Sequence, residues 1–362
     1  MRREIQIKWD RIRDFMEKNG FGGILIKKVS NFAWFTGGKS NFVALYTENG
    51  ASSLFVTDEK IYIVSNNIEM PRIIEEEIGK ENFEKIESMW FEEEKLVEEI
   101  KNIAKGKVGC DLPVGDFIPV KLEKLHFPLL PEEIERYKSL GKEASEVMTN
   151  LCMDIKEGET EYEIAGKLSE LLWERGIIPV VILIACDERL KKFRHPLPTE
   201  KKVKKNVMVV LCAKRDGLIV SLTRIVNFGK LDSELKKKHL AVCRIDSVFI
   251  GETMPGREIR DVFSSGIKAY EKEGYKEEWK LHHQGGPTGY LTRYSRGYLT
   301  DTSKIEENQS FAWNPSITGT KSEDTIIVKG KGCDIITEDK RWPLIEIEYK
   351  GKRIPRPDIL IK

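Results

Sequence analysis

Asn206-Val207-Met208-Val209-Val210-Leu211-Cys212-Ala213-Lys214-Arg215-Asp216-Gly217-Leu218-Ile219-Val220-Ser221-Leu222-Thr223-Arg224-Ile225-Val226-Asn227-Phe228-Gly229 is the stretch on which the fold turns. Two apolar runs rich in β-branched residues, 206–213 and 217–226, read as strands. Upstream, 179–185 reads as a further strand. Before it, Thr160 and Glu163 form the Thr-x-x-Glu pattern of a capping box. The helix it opens carries Ile164, Leu168, Leu171 and Leu172 on one face and stops at Gly176. An earlier helix opens on Pro131, a residue suited to a first helical position, and runs through Ile134, Tyr137, Leu140 and Val147. Downstream, helices are predicted at about 232–249 and 257–273. From Ser310 onward the chain reads as strands with glycine turns, ending in an extended segment with Pro343, Pro355 and Pro357.

The first third has a different rhythm. Ile5, Ile7, Trp9, Ile12, Phe15 and Met16 make the apolar stripe of a helix over about 4–19, ended by Asn19-Gly20. Strands are expected at 23–26, 42–46, 53–57 and 61–65, then helices near 69–79 and 91–104. Alternating strands and helices make an α/β domain. Two prolines in His126-Phe127-Pro128-Leu129-Leu130-Pro131 break helix and strand alike, so the expected domains are 1–127 and 128–362.

Bulk properties exclude several functions. A chain of 362 residues suggests two cores. Sixty Lys+Arg against 59 Asp+Glu leave a net charge of +1, which offers no footprint for nucleic acid or an anionic membrane. The basic run Lys201–Lys205 reads as a solvated turn. No apolar run suits a signal peptide or a membrane span. The six cysteines contain no Cys-x-x-Cys pair, which fits a reduced, cytoplasmic setting.

Several strings, in order, carry a resemblance. They are Leu130-Pro131-Glu132-Glu133-Ile134, Lys156 through Glu161, Arg194-His195-Pro196-Leu197-Pro198, and Gly217 through Gly229. Next come His282-His283-Gln284-Gly285-Gly286 with Gly289, then Asn314-Pro315-Ser316-Ile317 and Glu323-Asp324-Thr325. Together they resemble the pita-bread metallopeptidases of the aminopeptidase P, prolidase and creatinase kind over about 130–335. The resemblance implies an α/β two-domain chain: a creatinase-like α/β N-terminal domain and a pita-bread α+β domain of the catalytic type. It also implies a homodimer. Fold alone does not settle function.

Enzymes of this family hold two divalent ions with two Asp, one His and two Glu, and the ions activate water. With Thr223-Arg224 as anchor, the resemblance puts the second aspartate at Ser221 and the first, eleven residues earlier, at Val210. The histidine falls on His283 or His282, the first glutamate on Asn314 and the second on Glu323. Val210 has no lone pair, and Ser221 and Asn314 are neutral, weak ligands. One carboxylate does not offset two dications in a partly buried site. No cofactor is therefore expected, with two ions of Mn, Co or Zn as the alternative. Cys212 with His283 and Glu323 would make a single-zinc set. A small apolar filler is the plainer role for a buried Cys.

Three of the five histidines, His195, His282 and His283, fall at the presumed cleft. The family includes the metal-free enzyme creatinase, which uses a histidine in the strand-end segment, and His195 lies at the matching place. His195, His283 and Glu323 are the expected catalytic set, with His195 as general base. His282, Gln284, Ser221, Arg224, Asn314 and Arg293 are the expected substrate contacts. A structural ion pair is the other reading of Arg224 and Arg293. The expected function is a metal-independent hydrolase of a small amide or short peptide. The alternatives are a metal-dependent Xaa-Pro aminopeptidase or dipeptidase, and a non-catalytic module for a peptide or small molecule.

Overall fold

The computed structural model describes all 362 residues, in two compact units, Met1–Glu133 and Ile134–Lys362. The division falls after the first turn of the helix Pro131–Asp154, where Glu133 is ion-paired with Lys8 at 2.9 Å.

The first unit is built on a six-stranded sheet. Its spatial order is Glu84–Ser88, Ile61–Asn66, Asn49–Val56, Phe21–Lys28, Lys107–Cys110 and Ile118–Pro119. The amphipathic helix Arg3–Asn19 ends where Gly20 adopts φ +68°, the left-handed cap that glycine tolerates. The expected strand at 42–46 does not form. Val43, Leu45 and Tyr46 are exposed there, and the strand begins only at Asn49, where Lys28 is its partner. The helix expected at 69–79 is a turn, Met70–Arg72, followed by a wider π-helical segment, Ile73–Ile78. The helix Val29–Thr36 and the strands at 84–88 and 107–110 were not evident from periodicity, because they are short and, in the helix, buried nearly all round.

The second unit places two sheets edge to edge. Ile178–Cys186, Asn206–Arg215 and Leu218–Asn227 are antiparallel neighbours, with Leu360–Ile361 added in parallel to the last. The hairpin turns at Asp216 (φ 52°) and Gly217 (φ 75°). Gly285–Thr288, Ser310–Trp313, Asp324–Lys329 and Gly332–Ile335 form the other sheet. The two meet where Ser221 N–H donates to Thr325 Oγ1 (2.7 Å) and Thr223 N–H to the Glu323 carbonyl (3.1 Å). The Thr160–Glu163 capping box opens the helix Glu161–Trp173. The helices Ser233–Glu252 and Ile259–Lys272 pack on the second sheet around Phe249, Phe311 and Trp313, whose rings stack. No helix is long and apolar enough to cross a membrane.

Candidate functional site

Where the two sheets meet, a cleft of about 710 Å³ opens. Its floor comes from Val210 and Cys212 of the hairpin, which share a face because strand side chains alternate. Glu323 and Asn314 come from the ends of neighbouring strands. Asn314 is set by Trp313, whose Nε1–H donates to Thr253 Oγ1 in the core (2.9 Å). Trp313 is therefore a core residue. Gly285 and Gly286 are packing requirements too: a Cβ would meet the Ala312 carbonyl at 2.1 Å and the Ser295 carbonyl at 2.5 Å.

Glu323 is buried and fully engaged. Lys321 Nζ lies 2.6 Å from Oε2, Thr223 Oγ1 donates to the same oxygen (2.7 Å), and Arg293 Nη2 donates to Oε1 (3.0 Å). Burial pushes its carboxyl upward, but Lys321 and Arg293 outweigh this and hold its pKa below the usual value. It makes no hydrogen bond to a histidine. Asp324, one residue on, faces the other way and binds Arg224 and Arg356.

The three histidines converge, with ligating atoms within 4.8 Å of one another. His195 Nε2 and His282 Nε2 are 3.1 Å apart, and His282 Nδ1 is 3.3 Å from Ser316 Oγ, which also accepts from Arg194. Either proton order along this chain leaves His195 Nδ1 unengaged: a base in one order, an acid in the other. Gly285 N–H donates to His283 Nδ1 (3.3 Å), so the proton of His283 sits on Nε2. Burial, then Lys321 and neighbouring cations, drives the His282 pKa far down. Burial, Arg293 and Lys321 lower His283 to about 4. Burial and Lys321 also lower His195, with Glu323 opposing. All three rings are neutral at pH 7. His195 and His283 line the cleft, whereas His282 lines an adjoining recess of about 440 Å³ with Gln284.

The other expected contacts divide. Arg293 and Asn314 line the cleft. Ser221 is fully buried behind its wall, 3.3 Å from Cys212 Sγ and 3.2 Å from Arg293 Nη1. Gln284 accepts from Tyr270 and donates to the Trp279 and His282 carbonyls, which fixes the loop. Arg224 is not a ligand contact: it is locked to Asp324 and the Thr337 carbonyl, so the structural ion pair is its role. Cys212, His283 and Glu323 do not group closely enough to share an ion; among the His, Cys, Asp and Glu side chains, His195, His282 and His283 have the spacing that could hold one. Sequence reasoning missed Lys321 and Arg296, both of which line the cleft. Lys321 stands two residues before Glu323, a same-face spacing on an extended chain.

Comparison with known proteins agrees with the two-domain fold. Residues 135–336 match the model for metallopeptidase family M24, and residues 8–125 match the creatinase/prolidase N-terminal domain. The Xaa-Pro dipeptidase of Pyrococcus horikoshii is 22% identical over 92% of this chain and 97% of its own. The structure of Xaa-Pro dipeptidase from Bacillus anthracis superposes with a TM-score of 0.78 at 17% identity, covering 99% of this chain and 100% of that one. The N-terminal domain of FACT complex subunit SPT16 from chickpea (Cicer arietinum) superposes with a TM-score of 0.69 at 12% identity, over 92% of this chain and 96% of that one. With a creatinase-like α/β domain followed by a pita-bread domain that the family model matches over more than half its length, the chain belongs to metallopeptidase family M24.

Proposed function

We propose that this protein is a metal-independent hydrolase of a small amide or short peptide, with His195 as the acid–base group and His282 as its hydrogen-bonded partner. The observation that carries this reading is the occupancy of Glu323 by Lys321, Arg293 and Thr223. Two divalent ions do not fit such a donor set. Val210 offers no lone pair, Ser221 is buried against Cys212 and Arg293, and the one carboxylate is already neutralised. An ion on the three histidines would face the same cations without a free carboxylate to balance it.

In this reading the neutral His195 takes a proton from water as it attacks the substrate carbonyl and returns it to the leaving nitrogen. Fixed cations beside the cleft favour the oxyanion that develops. The test is turnover of a panel of dipeptides and small amides by protein stripped with a chelator. Retained activity, lost in His195→Gln, supports the reading. Activity that appears only on adding manganese, cobalt or zinc points to a metal-dependent Xaa-Pro peptidase instead.

A second reading, a non-catalytic binding module, is favoured by one observation: no carboxylate hydrogen-bonds to His195, His282 or His283. A histidine base commonly has such an orienting partner. Ligand-induced thermal stabilisation without turnover would support it.

A further inference from the structure

We infer that the centre of the cleft is an oxyanion site, in which Lys321, Arg293 and Arg296 bind a small carboxylate or phosphate. The inference rests on the cleft being free of divalent ions, but not on turnover.

The charge count comes first. Three cationic side chains and one carboxylate line the cleft, so the lining carries two net positive charges with the histidines neutral. Glu323 takes up one charge through its contacts with Lys321 and Arg293. Arg296 is exposed at the mouth and makes no hydrogen bond or ion pair within the chain. A guanidinium in that position is free to grip a planar or tetrahedral oxyanion through two N–H groups. Low-dielectric walls from Val181, Leu183 and Val210 strengthen the attraction.

The neutral groups agree with the charges. The Nε2–H of His283 is a donor, because its Nδ1 already accepts from Gly285. Asn314 is 3% exposed, lines the cleft, and its Oδ1 has no hydrogen-bond partner. A buried amide oxygen is rarely left unpaired. A ligand hydroxyl or amine next to the anionic group satisfies it. The ligand class is therefore a small oxyanion bearing an adjacent hydrogen-bond donor: a hydroxy or amino acid, or a phosphate carrying its own hydroxyl.

Calorimetric titration of the chelator-treated full chain tests this, with L-malate and inorganic phosphate as probes at constant ionic strength set by sodium chloride. Metal content is measured on the same sample, so that a failure of the metal-free reading is seen separately. One saturable site per chain is expected. Tighter malate binding identifies a carboxylate ligand, and tighter phosphate binding a phosphate ligand. Arg296→Ala should weaken the preferred anion about tenfold, and Arg296→Glu should abolish binding. The side chain is exposed and unpaired, so both variants should keep the melting temperature of the parent. Absence of binding by both anions, or binding unchanged in Arg296→Glu, overturns the inference.

Discussion

Lys321 Nζ lies 2.6 Å from Glu323 Oε2, with both side chains almost wholly out of solvent. In such a setting neither charge is tolerable alone. Lys321→Met leaves the carboxylate with Arg293 and Thr223 only. Urea denaturation should register a loss on the order of 3 kcal/mol. The double variant Lys321→Met/Glu323→Gln, which removes both charges, should recover most of it. A double variant no more stable than the single one would show that the pair is not coupled.

Metal content follows from the same contact. Protein incubated with manganese, cobalt or zinc and then desalted should retain no stoichiometric ion by elemental mass spectrometry. Two ions per chain would mean that Lys321 and Arg293 are displaced from Glu323. One zinc per chain would place it on His195, His282 and His283, the group whose ligating atoms cluster.

His195 is exposed, and its Nδ1 makes no hydrogen bond. His195→Gln should therefore leave the melting temperature within about 2 °C of the parent, because surface substitutions cost little. On the substrate found in the amide panel, kcat should fall by about 10²-fold or more, the usual contribution of a positioned acid–base group. An equal rate in the variant would remove His195 from the chemistry.

Acid stability reports two further buried histidines. His126 and His239 are fully buried with pKa values below the ordinary histidine value, His126 chiefly through burial with Lys8 adding, His239 through burial. A depressed folded pKa means that the unfolded chain binds protons first as pH falls below about 6.5. Stability is then complete above that pH and is lost as pH drops toward the folded values. Each group should contribute about 1.4 kcal/mol per pH unit once well below 6.5. The melting temperature should decline steadily from pH 7 to pH 5, and His126→Gln should flatten the slope. A flat profile over that range would contradict the assignment.

Much of this was legible in the sequence. The strands at 206–213 and 217–226, the Thr160–Glu163 box and the helices after Pro131 and Ser233 are local events, governed by periodicity, turn chemistry and capping over a few residues. The grouping of His195 with His282 and His283 also followed from ordered strings. The short buried helix at 29–36 and the failed strand at 42–46 did not, because burial all round erases periodicity and a strand needs a partner. The partners of charged side chains were beyond the sequence as well. Arg224 is bound to Asp324, 100 residues away, and Arg293 to Glu323, 30 residues away. The resemblance pointed to His195, His283, Arg293, Asn314 and Glu323, which line the cleft, and also to Ser221 and Arg224, which do not. Only the tertiary structure decided that Glu323, the one carboxylate lining the cleft, is held by a lysine and an arginine, since the strength of a charge depends on the neighbours that folding brings to it.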